Sequence, residues 1–175
     1  MARAPAGRTH GRDGEPVNVN HAADQRKRVL AIASGGGHWV QLLRLRPAFE
    51  NCDVTFVTVK RAYESDVEGE RFFVINDATR WNKFGLLKMA ARIGMIILRT
   101  RPHVVVTTGA APGFFAIRIG RLFGAKTMWL DSVANVEQLS LSGERVGAHA
   151  DLWLTQWPHL ARAESGGPMY RGSVL

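Results

Sequence analysis

The first stretch of the chain that suggests chemistry is a glycine-rich turn ending in a histidine, made of Ser34, Gly35, Gly36, Gly37 and His38. Glycine lets the backbone turn tightly and lets a ligand approach it closely. The helix predicted after the turn presents free N–H groups and a positive dipole end, which favour an anion such as a phosphate or diphosphate. A tight strand-to-helix turn that binds no ligand is the alternative.

His38 stands at the start of that helix, and histidine can act as a general base near neutral pH. In the alternative role, its ring only donates a hydrogen bond to phosphate or to the backbone. The turn does not match the G-x-G-x-x-G dinucleotide fingerprint, because Trp39 and Val40 stand where a further glycine is needed. The second predicted strand ends in Lys60 and Arg61, without the acidic residue that binds an NAD ribose, which leaves NADP as a minor alternative.

Two further loops that follow predicted strands also carry candidate site residues. Thr108, Gly109 and Ala110 lie in a loop of small residues before a helix, where they form either the opposite wall of a cleft or only a turn. Asp131 and Ser132 follow an apolar strand. A carboxylate at this place orients a hydroxyl nucleophile or takes its proton. A helix N-cap and an internal ion pair are the alternatives for Asp131.

The elements that position these loops follow from apolar runs that alternate with helical patterns. Six strands are predicted, at residues 28–34, 52–60, 71–77, 103–109, 125–132 and 151–157. Helices are predicted at residues 40–49, 81–102, 112–124 and, more briefly, 144–148. This alternation predicts an α/β fold with a Rossmann-like, doubly wound, mostly parallel sheet. Ligands of such sheets bind beyond the carboxyl ends of the strands, where all three loops lie.

Composition narrows the domain organisation and the classes of partner. The 175 residues suit a disordered tail at 1–27 and one domain at 28–175, with no room for a second full domain after the sixth strand. A net charge of +8 favours partners that carry phosphate. Cys52 is the only cysteine, so an intrachain disulfide and a cysteine metal cluster are excluded. No secretory signal or membrane-spanning run is present, which predicts a cytoplasmic protein.

The helix predicted at residues 81–102 combines an apolar surface with basic residues and contains no acidic residue. Lys88, Arg92 and Arg99 fall at i, i+4 and i+11, so they form one narrow stripe. The apolar arc is wider than one contact with a sheet requires, which favours insertion into an anionic lipid interface. A deeply buried crossover helix is the alternative. Nucleic acid is disfavoured because the basic residues are not interleaved with aromatic ones.

The loops together resemble a known family of enzymes. The residues that carry the likeness are "SGGGH" at 34–38, "TTGAAPG" at 107–113, "LDSVANVEQLSLSG" at 130–143 and "ADLWLTQWP" at 150–158. They resemble the acceptor-side, N-terminal half of GT-B glycosyltransferases related to the peptidoglycan transferase that adds N-acetylglucosamine to lipid I. The likeness is to the split versions, such as the membrane subunit of the eukaryotic dolichol-linked GlcNAc transferase and its bacterial exopolysaccharide counterparts. The family often has glutamate where Asp131 stands.

The resemblance implies one subunit of a two-chain inverting glycosyltransferase, active with a separate donor-binding subunit. The reaction is sugar transfer from a nucleotide-sugar, of the UDP-sugar class, to a polyprenyl-diphosphate-linked acceptor, with no cofactor or catalytic metal. His38 and Asp131 are then the catalytic candidates, and the acceptor site comprises Ser34, Gly35, Gly36, Gly37, His38, Thr108, Gly109, Ala110 and Ser132. Lys88, Arg92 and Arg99 contact the inner face of the cell membrane. A non-catalytic membrane anchor that recruits the catalytic subunit is the alternative.

Overall fold

The computed structural model describes residues 26–79 and 81–174, in which seven parallel strands form one sheet. The strands are β1 Lys27–Ile32, β2 Cys52–Thr58, β3 Arg71–Val74, β4 Val104–Thr107, β5 Lys126–Leu130, β6 Leu152–Thr155 and β7 Met169–Tyr170. Their order is β3-β2-β1-β4-β5-β6-β7, and every neighbouring pair is parallel. The predicted α/β Rossmann-like fold is therefore confirmed. The tail predicted at residues 1–27 lies outside the described residues, except for its last two.

Helices cover both faces of the sheet, because successive strand residues point to opposite sides. Leu30 and Ile32 of β1 are buried on the face that carries three of the helices. Val29 and Ala31 are buried on the opposite face, against Trp39. The helices are α1 Gly37–Arg44, which carries Trp39, and on the first face α2 Lys83–Thr100, α3 Ala110–Leu122 and α4 Leu141–Val146. This two-sided covering is the doubly wound arrangement that the sequence predicts.

The long helix α2 spans Lys83–Thr100, two residues shorter at each end than the helix predicted at residues 81–102. Asn82 caps its start, since the side-chain oxygen accepts a 2.8 Å hydrogen bond from the Gly85 N–H. The helix ends where Arg101 adopts a left-handed conformation with φ of 45° before Pro102. Helix α3 begins at Ala110, two residues earlier than the predicted start at Pro112. Proline fits inside that first turn because N–H groups there need no helical partner.

Helix α4 also differs from its prediction at residues 144–148. The helix starts earlier because Ser140 caps it, with the hydroxyl accepting a 2.9 Å hydrogen bond from the Gly143 N–H. A short 3-10 helix, Gly147–His149, then replaces the predicted continuation.

Strand β7 is an element that the sequence does not predict. Its two residues pair with Leu154 and Thr155 of β6. A strand this short, set among glycine, proline and turn residues, has no periodicity by which to recognise it. It extends the sheet from the six predicted strands to seven.

Candidate active site

The carboxyl ends of β1 and β4 mark the point where the strand order reverses. Strands β2 and β3 lie on one side of β1. Strands β4 to β7 follow one another on its other side. Open α/β sheets bind their ligands in the crevice at such a switch point. Ile32 and Thr107 are paired at the ends of these two strands. The glycine turn and the loop of small residues therefore leave the sheet side by side.

His38 and Thr108 join these two loops by a reciprocal pair of hydrogen bonds. The Nδ1 atom of His38 lies 2.8 Å from the carbonyl oxygen of Thr108, and the Thr108 hydroxyl donates to the carbonyl of His38 at 2.7 Å. A carbonyl only accepts, so Nδ1 carries the proton and Nε2 of the neutral ring carries a lone pair. Among residues 26–79 and 81–174, no protein group hydrogen-bonds to Nε2. That nitrogen is available to take a proton or, once protonated, to donate a hydrogen bond.

The backbone beneath the His38 ring is in a conformation that few residues adopt. Gly109 has φ of 125°, and a Cβ there would lie 2.9 Å from Cε1 of His38, so glycine is required twice over. Ala110 follows with φ of 63°, a left-handed conformation that costs roughly 1–2 kcal/mol in a residue with a side chain. Backbone strain of this kind is concentrated at ligand-binding and catalytic sites.

The glycine turn is held from its other side by the segment after β2. Gly36 has φ of 66°, and its N–H donates to the Tyr63 hydroxyl at 3.0 Å. The stem of Lys60 covers Gly35, where a Cβ would lie 3.3 Å from the lysine Cε. Lys60 is exposed, so its ammonium lies near the turn in contact with solvent. In the sequence, Lys60 only counts against an NAD site, because its closeness to the glycine turn depends on the fold.

Helices α1 and α3 both start at this crevice without a side-chain cap among the described residues. Gly36 and Gly109 occupy the two N-cap positions, and neither has a side chain to accept from the first N–H groups. Two carbonyl oxygens of the glycine turn accept hydrogen bonds from side chains. The Ser34 carbonyl accepts from the Thr58 hydroxyl at 3.4 Å, and the Gly37 carbonyl accepts from the Gln41 amide at 3.2 Å. Two uncapped helix starts thus face one crevice, together with His38 and Lys60.

Asp131 is 2% exposed, and its carboxylate is occupied by groups of its own loop. One oxygen accepts from the Ser132 N–H and the Asn135 amide, both at 3.1 Å. The other accepts from the Ser140 N–H at 2.8 Å. The side chain therefore fixes the loop that leads into α4.

Two buried glutamines connect this loop to the glycine turn and to β6. The Gln41 amide nitrogen donates to the Ser132 hydroxyl at 3.2 Å, and its oxygen accepts from the Val133 N–H at 3.0 Å and from the Gln156 amide at 2.6 Å. Gln156 also donates to the Asp131 carbonyl at 2.9 Å and accepts from the Val174 N–H at 2.9 Å. The structure thus brings Ser132 to the base of the crevice through Gln41. No sequence motif identifies Gln41 as part of this network.

The basic stripe of α2 is exposed. Beside it runs an equally exposed apolar stripe of Phe84, Leu87, Ala91, Met95 and Leu98, of which the four large side chains are 55–80% exposed. At about 100° per residue, the apolar stripe spans about 80° of the helix and the basic stripe about 40° next to it. Helix α2 is therefore not the deeply buried crossover helix that was the alternative. Among the described helices, none is long and apolar enough to cross a membrane.

The fold is shared with one domain of several larger proteins of known structure. MurG from Acinetobacter baumannii superimposes with a TM-score of 0.69 at 14% identity, over 85% of this chain and 46% of that one. The UDP-N-acetylglucosamine 2-epimerase from Rickettsia bellii gives 0.64 at 12% identity, over 85% and 45%. The chain thus has the fold of the N-terminal domains of GT-B glycosyltransferases and epimerases, and it spans less than half of each solved structure.

Sequence comparison then identifies the family. No family model matches the chain. The UDP-N-acetylglucosamine transferase subunit ALG14 of Yarrowia lipolytica is 34% identical, over 80% of this chain and 80% of that protein. The same subunit of Eremothecium gossypii is 27% identical, over 78% and 75%. The chain belongs to the ALG14 family, which confirms the resemblance seen in the sequence motifs.

The contact between Gly109 and His38 predicts that Gly109→Ala displaces the imidazole. The added Cβ collides with the ring, so the Nδ1 proton loses its acceptor on Thr108 and the neutral ring reverts to a mixture of tautomers. Long-range ¹H–¹⁵N NMR reports the tautomer directly. Gly124→Ala is the matched control, because Gly124 also has a positive φ, of 80°, with nothing near its Cβ position. Gly124→Ala loses about 1–2 kcal/mol of stability. Gly109→Ala loses more because of the added clash, and only this variant changes His38. An unchanged tautomer in Gly109→Ala contradicts this account.

The buried amide pair predicts that Gln156→Leu is strongly destabilising. The leucine leaves the Asp131 carbonyl unpaired in the interior and removes one hydrogen bond from Gln41. We expect a loss of about 2–3 kcal/mol in the free energy of unfolding, measured by urea titration. Gln138→Leu makes the same change at an exposed position and should stay within about 0.5 kcal/mol. Equal effects of the two variants would show that the buried amide pair does not contribute to the free energy of unfolding.

Proposed function

We propose that this chain is the acceptor-side subunit of a two-chain, inverting glycosyltransferase. The enzyme transfers N-acetylglucosamine from UDP-N-acetylglucosamine to an acceptor carried on a polyprenyl diphosphate, on the cytoplasmic face of a membrane. The observation that carries the proposal is the His38–Thr108 junction at the switch point of the sheet, in a chain whose relatives are named as transferase subunits. The donor and the need for a second subunit are inferred from those names.

The crevice suits a diphosphate for electrostatic reasons. Two uncapped helix starts offer N–H groups and positive dipole ends, and the Lys60 ammonium adds a full charge beside the glycine turn. Ser34, Gly35, Gly36 and Gly37 would contact the anion from the β1 side, and Thr108, Gly109 and Ala110 from the β4 side. Opposing positive groups of this kind favour a ligand with more than one negative charge.

His38 would act on the reaction through its Nε2 atom. In a direct displacement, the acceptor hydroxyl attacks the anomeric carbon, the bond to the UDP oxygen breaks and the configuration inverts. The hydroxyl proton goes to Nε2, and UDP leaves with the electron pair of the broken bond. Thr108 orients the ring for this step because it fixes the Nδ1 proton. Alternatively, a protonated Nε2 donates to the diphosphate and holds the acceptor.

Asp131 and Ser132 would support the site from beneath. Asp131 makes its contacts within its own loop, so in this proposal it is a positioning residue that holds the loop before α4. Ser132 links that loop to α1 through Gln41. Of the two catalytic candidates in the sequence, His38 has the free proton-accepting atom.

Transfer by purified chains tests the proposal. This chain mixed with a donor-binding subunit should move labelled N-acetylglucosamine from its UDP donor onto a polyprenyl-diphosphate-linked sugar. Strong transfer by this chain alone would rule out the two-chain arrangement. In the complex, His38→Ala should lower kcat about 100-fold or more if the ring is the base. His159→Ala is a control at an exposed histidine. Near-normal turnover of His38→Ala would instead support a non-catalytic anchor that recruits the catalytic subunit.

We also infer that α2 lies in the lipid interface. Its apolar stripe is exposed, and Lys88, Arg92 and Arg99 flank it at the level of anionic head groups. Each cation near an anionic surface contributes about 1 kcal/mol to binding. The protein would then be peripheral on the membrane, held by one face of one helix together with any contact made by its partner.

Charge reversal on α2 tests the lipid contact. Lys88→Glu with Arg92→Glu should weaken co-sedimentation with anionic phosphatidylserine-containing vesicles by about thirtyfold or more, because two attractive cations are lost. Arg162→Glu with Arg171→Glu makes the same change of net charge on exposed residues away from α2 and should have a much smaller effect. If both double variants weaken binding equally, attraction depends on net charge and not on the α2 stripe.

A further inference from the structure

A small apolar cavity opens among the first turns of α2 and α3 and the short helix α4. Its volume is about 170 Å³, and its lining residues are Leu86, Ala111, Phe114, Phe115, Ser142 and Arg145. The two phenylalanine rings meet edge to face, with centroids 5.5 Å apart. Apart from the Ser142 and Arg145 side chains, the lining residues have hydrocarbon side chains. The cavity is therefore suited to an apolar group.

The cavity lies between the two surfaces to which function is assigned above. Ala111 comes three residues after Thr108, whose backbone binds His38. Leu86 is in the first turns of α2, next to Leu87 of the exposed apolar stripe. A flexible chain that leaves the lipid interface beside α2 would pass this cavity on its way to the crevice.

Arg145 adds a positive charge at the cavity. Arg145 is exposed, and no carboxylate of residues 26–79 and 81–174 forms an ion pair with it. An apolar cavity beside an unneutralised guanidinium suits a ligand that is a hydrocarbon at one end and an anion at the other. A prenyl chain attached to a diphosphate has this chemistry.

We propose that this cavity binds the first isoprene unit of the polyprenyl diphosphate, with Arg145 beside the diphosphate. The proposal rests on the proposed function and assigns a subsite within it. The volume of the cavity fits one isoprene unit. A protein cavity of roughly 150 Å³ holds benzene, which has six carbons, and an isoprene unit has five. The rest of the chain returns along α2 toward the lipid.

Binding of short prenyl diphosphates to the full chain tests the subsite without the partner. Isothermal titration should show geranyl diphosphate binding about tenfold or more tightly than inorganic diphosphate. Ser142→Leu fills the cavity and should abolish that difference while leaving inorganic diphosphate binding unchanged. Ser165→Leu is the control at an exposed serine away from the cavity. Leu86→Ala removes part of the wall and should also reduce the difference, so the test survives if Ser142→Leu does not fold.

Three outcomes would overturn the subsite. If the wild-type chain binds geranyl diphosphate and inorganic diphosphate equally, the cavity has no role in binding the prenyl group. A Ser142→Leu effect equal to that of Ser165→Leu places the prenyl group elsewhere. Decanoate binding as tightly as geranyl diphosphate indicates a general alkyl-chain site. Tight geranyl diphosphate binding by a chain that supports no sugar transfer with its partner would overturn the proposed function alone.

Discussion

A hydrogen bond between two buried side-chain amides, Gln41 and Gln156, joins the segments that form the carboxyl edge of this sheet. Both residues are almost fully buried, and their other partners are the loop after β5, the Gly37 carbonyl and the Val174 N–H. A satisfied hydrogen bond adds only about 1 kcal/mol to stability, whereas a buried amide left unpaired costs more than that. The start of α1, the loop after β5 and the end of β6 are therefore fixed relative to one another.

The start of α3 is the second constraint, and it depends on the first. Thr108 binds His38, which stands at the start of α1, and Gln41 one turn later fixes that helix to the loop after β5. With α1 held in place, the positive φ values of Gly109 and Ala110 set the direction in which α3 leaves the crevice. Strain at Ala110 persists because the surrounding hydrogen bonds determine the position of the turn. The same first turns of α3 form one wall of the cavity assigned to the isoprene unit.

The sequence predicts what is repetitive or local, and the structure adds what depends on distant residues. Six strands and helix α2 can be predicted from the pattern of apolar residues. That the loops meet at the carboxyl edge can be predicted from the parallel direction of the strands. Gln41 and Gln156 are 115 residues apart. The sequence does not distinguish a buried glutamine from an exposed one, so their contact could not be predicted. The pattern at Asp131 fits a catalytic carboxylate and a loop-fixing one equally well, so only its contacts distinguish the two. The tautomer of His38 likewise depends on a carbonyl 70 residues away.

The topology also relates the proposed lipid contact to the crevice. A crossover helix runs antiparallel to its strands, so the first turn of α2 lies at the carboxyl edge of the sheet. Its 18 residues span about 27 Å, with the exposed stripe along the whole length. If α2 lies flat in the interface, the strands run along the membrane and the crevice opens sideways, near the level of the head groups. With the proposed function, a lipid-linked diphosphate would then reach His38 without leaving the interface, and a donor-binding subunit would approach from the side, unobstructed by the bilayer.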